Sequence, residues 1–462
     1  MINLLAGTGR TDITPAPGTP QGIWGAQTHQ RGLGADLPLY ATALAIFDTA
    51  ASSFIIVDID CIGFDMEWTN RIIDAIARLT EVPDEHIRVS WSHTHSGPKT
   101  VRLATISEGL EMALSYMEGL PLRIAGAAWQ ALQHLKPVRC GAGSGSCDIN
   151  LNRRLQLPDG TFVVGRNWSG PVDHTVRVLR FDDLDANPIA SIVHYACHGT
   201  TMAWQNQYFT PDFPGMARQV VEQEVGGTCL FLQGASGNLH QRRGFTGDLR
   251  EYRRLGKILG LEASKVLLGI ETPRRSQRFR GVLQSGAPIA LYDDEPLDSE
   301  DQVLRVKSRF VRLPLRPFPI ADRLEAEAAE LLREMNRLRE SGTEAEVRVA
   351  TARATQAGTR AEMARKYQGK THLDCQLQGI RIGSIALLSC PVEPFTELNQ
   401  QIVARSPFPH TLFSGYSNGS FGYLPTRKAF EEGGYEVETC PFSPDAADVL
   451  VHEGLQILRE LA

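Results

Sequence analysis

Two histidines stand two residues apart in Ser92-His93-Thr94-His95-Ser96-Gly97-Pro98, directly after the strand-like run of residues 86–91. In an extended segment, residues two apart point to the same side, so both imidazoles face one pocket. Imidazole binds borderline metals and titrates near neutrality, which lets such a pair serve as ligand plus base. The structural alternative is one exposed loop histidine and one packed against a sheet. A second cluster, His194-Tyr195-Ala196-Cys197-His198-Gly199-Thr200, lies where an apolar run gives way to glycine and threonine. His194, inside the run, reads as a satisfied core histidine or one that supports a ligand from behind, and His198, at its end, as the better ligand candidate. The third is Glu393, in Pro391-Val392-Glu393-Pro394-Phe395 after an apolar strand. A carboxylate there is costly to bury unless a cation compensates it. Two histidines and a glutamate form a ligand set of catalytic zinc sites. Tyr416, Tyr423 and Tyr435 stand among glycines further on. Their hydroxyls would bind a metal or donate to an oxyanion, or their rings would simply anchor the loop.

The elements that must position these residues are readable from hydrophobic periodicity. Residues 43–61 contain a strand pair turning at Ser52 and Ser53, 67–80 carry apolar positions at helical spacing, and 109–135 read as a longer helix. Residues 138–150 (VRCGAGSGSCDIN) read as a strand breaking into a Gly/Ser-rich loop. Two more strands follow at 172–183 and 188–200, then a helix beginning after the prolines of residues 211–226, and a strand ending in the glycine-rich turn of 228–238. Repeated strand–helix–strand order with apolar central strands predicts an α/β fold, a mixed β-sheet core layered with helices. Residues 321–367, rich in Ala, Glu, Arg and Leu, predict a helical hairpin or three short helices inserted into a single catalytic domain of residues 1–462. Their mixed charges describe a solvated helical face. Residues 373–395 read as a strand pair turning between Gly379 and Gly383 and ending at Glu393.

Composition narrows the classes. With 462 residues, 42% hydrophobic and 22% charged, the chain is long enough for a large core, and its net charge of -6 gives no general reason to bind nucleic acid or an anionic membrane. Its eight cysteines are scattered without any Cys-x-x-Cys pair, and several lie in apolar runs, as Cys229 and Cys390 do. That pattern fits small buried hydrophobes in a reducing, cytoplasmic compartment rather than a structural zinc site. The start of the chain lacks the basic segment and apolar core of a signal peptide, and no run approaches bilayer length, so no transmembrane anchor is expected.

Taken together, the segments ITPAPGTP, SHTHSGP, the Asn-Arg of LNRRL, VRVLRF, HYACHGT, FTPDFPG, LQGASGN, PVEPFTE and YLPT, with Tyr435 beyond them, resemble the neutral/alkaline (non-lysosomal) ceramidase family. They occur in the family's order and span nearly the whole chain. The resemblance implies a zinc-dependent amidase with one Zn²⁺ per chain, held by His93, His198, Glu393 and Tyr423. It implies that His95 is the catalytic histidine beside the metal, that Tyr435 stabilises the oxyanion, and that Arg153 (or its neighbour Arg154) acts from the substrate side. Asp60 and Asp212 would line the cavity or support the ligands. The expected substrate is a small amide or N-acyl compound. An esterase or lactonase with the same centre is the second reading, and a non-catalytic binding protein on the same fold a third. Two departures bear on ceramide itself. The family's Gly-Asp-Val-Ser-Pro turn is replaced by Gly237-Asn238-Leu239-His240, which puts a histidine where the family has a serine. The family's C-terminal β-sandwich domain is also not expected within these 462 residues.

Overall fold

In the computed structural model, which describes residues 4–48, 52–101, 104–273, 275–297 and 302–462, the apolar runs of the first half form one eight-stranded sheet. Its strands are β1 (Leu4–Asp12), β2 (Tyr40–Asp48), β3 (Ser53–Ile59), β4 (Ile87–Trp91), β5 (Lys136–Ser146), β6 (Thr175–Asp183), β7 (Pro188–Tyr195) and β8 (Thr228–Gln233). They lie in the order β8-β7-β6-β5-β1-β2-β3-β4. The inner pairs are antiparallel, and the two outermost pairs, β3/β4 and β7/β8, are parallel. Ser52 and Ser53 stand where the β2–β3 turn is expected, and the adjoining residues 49–51 fall outside the described residues.

Helices α1 (Met66–Thr80) and α2 (Leu110–Gln133) cover one half of this sheet. Ile72, Ile76, Ile124 and Ala128 pack there against Ala43, Ile55, Val57 and Val89. Helices α3 (Asp212–Glu224) and α4 (Leu249–Leu268) cover the other half, placing Phe213, Ala217 and Leu259 on Val178, Val193 and Phe231. The remaining sheet face meets a second sheet of β9 (Leu304–Pro314), β10 (His372–Ile382), β11 (Ile385–Ser389) and β12 (His410–Ser414), again ending in a parallel pair, β11/β12. Leu44, Ile56, Ile192 and Leu230 interleave with Ile380 and Leu387 in that layer. Fully burying each such side chain contributes about 1.5–3 kcal/mol. The molecule is thus a mixed α/β fold, as its periodicity predicts.

Helices α5 (Ala321–Ser341) and α6 (Glu344–Tyr367) fill the interval between β9 and β10. A capping box of Thr343 and Glu346 starts α6. Ala350, Ala354, Ala357, Ala361 and Ala364 give α6 a buried alanine face, so only part of this hairpin is solvated. Helices α7 (Thr396–Arg405) and α8 (Ala446–Leu461) complete the C-terminal half.

Three local expectations are corrected. The Gly/Ser-rich segment after Cys140 is not a loop, since β5 continues through Gly141, Gly143 and Gly145 to Ser146. A β-carbon at those glycines would lie 2.5 Å from Ile270, 2.8 Å from Val266 and 2.2 Å from Glu262, so the glycines let α4 and its end lie directly on the strand. Helix α3 starts before its second proline rather than after it, because Pro214 sits in the first turn where its missing N–H costs nothing. Strand β10 runs past Gly379 to Ile382, and the turn begins at Gly383 with φ 57°.

Candidate metal centre

The three parallel strand pairs direct their ends to one place. A parallel pair necessarily presents both C-terminal ends at the same edge, where open α/β sheets commonly bind ligands. The β3/β4 pair leads to Ile62 and His93, β7/β8 to His198 and Ser236, and β11/β12 to Glu393 and Tyr416. Within each of the first two pairs one strand supplies a histidine and the other the carbonyl that orients it. His93 Nδ1 lies 2.6 Å from the Ile62 carbonyl oxygen, and His198 Nδ1 lies 3.2 Å from that of Ser236. A carbonyl only accepts, so each Nδ1 carries the proton and each Nε2 presents a lone pair.

Those two Nε2 atoms stand 3.1 Å apart. Glu393 Oε2 lies 3.5 Å from that of His93 and 3.7 Å from that of His198. The oxygen is buried and accepts no hydrogen bond. Three acceptors facing one another with no proton between them repel unless a cation lies among them. Zinc-like ions bind such atoms at about 2.0–2.2 Å, which in a tetrahedral arrangement separates the donors by about 3.3–3.6 Å. The donor set fits. His95 joins the same group, because ligand atoms of His93, His95 and His198 all lie within 4.8 Å of one another. The chain therefore carries a buried three-histidine cluster able to hold a metal ion, with Glu393 beside it.

Backbone interactions lock the two histidine loops together. His95 N donates to the Gly199 carbonyl at 2.9 Å, and Thr94 and Gly199 form a parallel bridge. A β-carbon at Gly199 would sit 2.3 Å from the His93 carbonyl oxygen, so only glycine permits this approach. His93 itself has φ 58°, an uncommon left-handed conformation that turns its ring back toward Ile62. Burial holds the His95 imidazole well below its ordinary pKa, with His93 and Arg153 adding to the effect. The same causes, burial first and then Arg153, lower His198. Both rings are accordingly neutral at pH 7, the state in which imidazole ligates a metal or accepts a proton.

Around the cluster the remaining candidates fall into place unequally. Glu393 and Tyr423 pair in a short parallel bridge, and the Tyr423 ring stacks on His198 with centroids 6.2 Å apart. Tyr435 is 5.7 Å from Tyr423 and 43% exposed, at the rim. Arg153 is buried, with its guanidinium carbon 5.2 Å from the Tyr423 ring centroid. Its Nε donates to Glu436 at 2.7 Å, and its Nη2 has no partner. Arg154 instead turns to Glu432, Glu436 and Phe162, so of the two arginines it is Arg153 that meets the tyrosine. Asp60 accepts from Arg218 at 2.5 Å and from the Tyr40 N–H at 2.9 Å, which fixes the chain just before Ile62. Asp212 accepts from the Thr201 and Phe213 N–H groups behind the His198 loop, and burial pushes its pKa up to about 6. His194 is buried and donates to the Phe413 carbonyl at 2.8 Å, away from the cluster. His240 donates to the Gly165 carbonyl at 2.7 Å and stacks on Phe245.

Tyr416, one of the three tyrosines singled out among glycines, lies 4.5 Å from the His93 ring and hydrogen-bonds Ser236 Oγ at 2.9 Å, a contact linking two sheets. Two backbone participants escape sequence reasoning. The Ile62 and Ser236 carbonyls are invisible to residue-type searches. Ser236 did carry a weak signal, its place in the glycine-rich turn after β8.

No helix among the described residues is long and apolar enough to cross a membrane. Comparison with known proteins agrees with the architecture. The family profile described as neutral/alkaline non-lysosomal ceramidase, N-terminal, matches residues 4–237, about half of the chain. The neutral ceramidase of Pseudomonas aeruginosa is 24% identical over 484 aligned residues, covering 95% of this chain and 69% of that protein. Neutral ceramidase B of Dictyostelium discoideum is 24% identical over 229 residues, 48% of this chain and 32% of its own length. Among solved structures, the crystal structure of the Pseudomonas aeruginosa neutral ceramidase superposes with a TM-score of 0.70 at 20% identity, covering 100% of this chain and 75% of that one. A ceramidase complexed with C2 gives 0.69 at 18% identity, with the same coverage. At such identities the superpositions speak for the fold, and with the profile match they lead to one conclusion: this chain belongs to the neutral/alkaline non-lysosomal ceramidase family.

Proposed function

We propose that this protein is a zinc-dependent hydrolase that cleaves the amide bond of an N-acyl or other small amide substrate. The observation that carries the proposal is the convergence of His93 Nε2, His198 Nε2 and Glu393 Oε2 within 3.1–3.7 Å, three lone-pair donors with no proton to share. These three residues, with Tyr423 as fourth, would hold one Zn²⁺ per chain, and His95 stays free for proton transfer. When bound, the ion supplies Lewis-acid polarisation of a carbonyl and acidifies water. His95, neutral and unpartnered at both ring nitrogens, takes the proton released in the attack and returns it to the leaving amine. Arg153, whose buried Nη2 has no partner, would donate from the substrate side, and Tyr435 at the rim would donate to the developing oxyanion. The whole chain acts in this reading as one catalytic domain, with α5–α6 as an insertion. A cytoplasmic location accords with eight free, buried thiols.

Esters and lactones offer the same carbonyl chemistry, so an esterase is the competing reading. His240, in place of the family's serine, argues for a substrate other than ceramide, since its ring is committed to Gly165 and Phe245. The test begins with elemental analysis of purified wild-type protein and of His93→Ala. About one zinc per wild-type chain, lost in the variant, is expected. Matched amide and ester substrates then decide the bond cleaved. Absence of metal from wild-type protein after zinc is supplied and excess removed would refute the proposal.

A further inference from the structure

The rim of the centre carries an arrangement for which the hydrolytic steps have no use. Trp24, Trp204 and Phe245 come from three separate loops, and Trp24 packs against the other two rings and against His95. The Trp24 ring centroid lies 5.3 Å from that of His95, 5.6 Å from Phe245 and 6.5 Å from Trp204. The two aromatic pairs meet edge to face, at interplanar angles of 85° and 70°. All three rings are half-buried and keep part of their surface in solvent. His240 backs the group from below, stacked on Phe245 at 5.0 Å.

Their backbone is built to hold them there. Phe245 has φ 55°, a conformation that a bulky residue rarely adopts and that clusters at functional sites. Its N–H is fixed to the Thr200 carbonyl at 3.2 Å, two residues past His198. Trp24 rides on a loop closed by a Pro20–Arg31 bridge and by the Gln21 N–H on the Gln30 carbonyl at 3.1 Å. Helix α6 supports that loop, since a β-carbon at Gly25 would contact Ala352 and Thr355 at 3.6–3.7 Å. The indole Nε1 of Trp24 is buried without an acceptor, as both His95 nitrogens are without partners.

We propose that Trp24, Trp204 and Phe245 form a subsite for an aromatic acyl group of the substrate, held next to the carbonyl that His95 serves. The proposal rests on the hydrolase reading and names its substrate class: aryl or arylalkyl amides. Trp24, met edge to face by Trp204 and by Phe245, leaves both edges and faces of the group to a further flat ring, which completes a T-shaped cluster. A flexible alkyl chain gains nothing from that geometry beyond ordinary burial and loses rotational freedom on entering it.

The test measures binding, so it does not depend on turnover. Zinc-supplied protein is titrated with phenylacetate and with acetate, followed by calorimetry and tryptophan fluorescence, and its metal content is read on the same sample. Phenylacetate is expected to bind about ten- to a hundred-fold tighter than acetate. Trp24→Ala is expected to reduce that ratio to about two. Trp204→Ala, on a different loop, should reduce it as well, which guards against local collapse at either position. Equal affinities for the two acids, or a ratio unchanged in both variants, would overturn the subsite. The ratio surviving in a sample without zinc would support the subsite while removing the metal centre. Zinc present with no preference would do the reverse.

Discussion

At the scale of single residues, the centre is defined by where protons are. The carbonyls of Ile62 and Ser236 fix both histidine tautomers, and the lone pairs so aimed have only each other and Glu393 to face. A buried group left in that state is normally costly, by about 1–3 kcal/mol for each neutral acceptor. Its persistence in three side chains at one point is the reason to expect a cation. Tyr435 is a different kind of participant, since it touches Tyr423 rather than the histidines. Replacing it with phenylalanine removes one hydroxyl and leaves the ring packing alone. Tyr435→Phe should therefore retain its metal and lose about a hundred-fold or more in kcat on an amide substrate. Steady-state kinetics alongside elemental analysis checks both halves, and an unchanged kcat would remove Tyr435 from the oxyanion role.

At the scale of elements, the parallel strand pairs matter more than any helix. Each brings two chain exits to the same edge, and the exits are then joined across pairs, as where Gly199 lies on His93. Gly199→Ala would force the two loops apart. We expect it to lower stability by about 1–3 kcal/mol and to reduce metal content sharply in protein that still folds. Urea unfolding and elemental analysis measure the two effects, and a fully loaded variant would show that the strap is dispensable. Much of this level was legible in the sequence. Strand-end placement singled out His93, His198 and Glu393, and the fold brings their side chains together. The glycines of β5 misled because a Gly/Ser run signals a loop locally, whereas here a helix packed on the strand demands it. The exposed hairpin of Arg275–Leu283 and Ile289–Pro296 gave no expectation at all, for its alternation is interrupted by charges on both strands. Trp24 and Phe245 were equally silent, since nothing in a loop's composition says which distant loop it will touch.

At the scale of the whole molecule, buried titratable groups tie stability to pH. His194 is fully buried, and burial holds its pKa down to about 4 from the ordinary 6.5. A group depressed in the folded state contributes stability that is complete above its unfolded pKa and lost as pH falls through the folded one. His194 therefore removes on the order of 3 kcal/mol between pH 6.5 and 4. Asp58 and Asp212, each pushed up to about 6 by burial, act in the opposite direction over an overlapping range, whereas His29 and His240, each held down to about 4 by burial, add to the loss that His194 produces. Comparing His194→Gln with wild type isolates the histidine, and the variant should lose less stability on acidification in chemical denaturation at matched pH values. Parallel profiles for the two proteins would place the acid sensitivity elsewhere. The cluster itself is gathered from chain positions as distant as His93 and Glu393. During synthesis the two histidines emerge with the first sheet, long before the second sheet exists to carry the glutamate. Closing contacts over such separations is intrinsically slow. A nascent chain thus holds an incomplete binding site for most of its time on the ribosome, and full competence for the ion arrives only when the last strands dock.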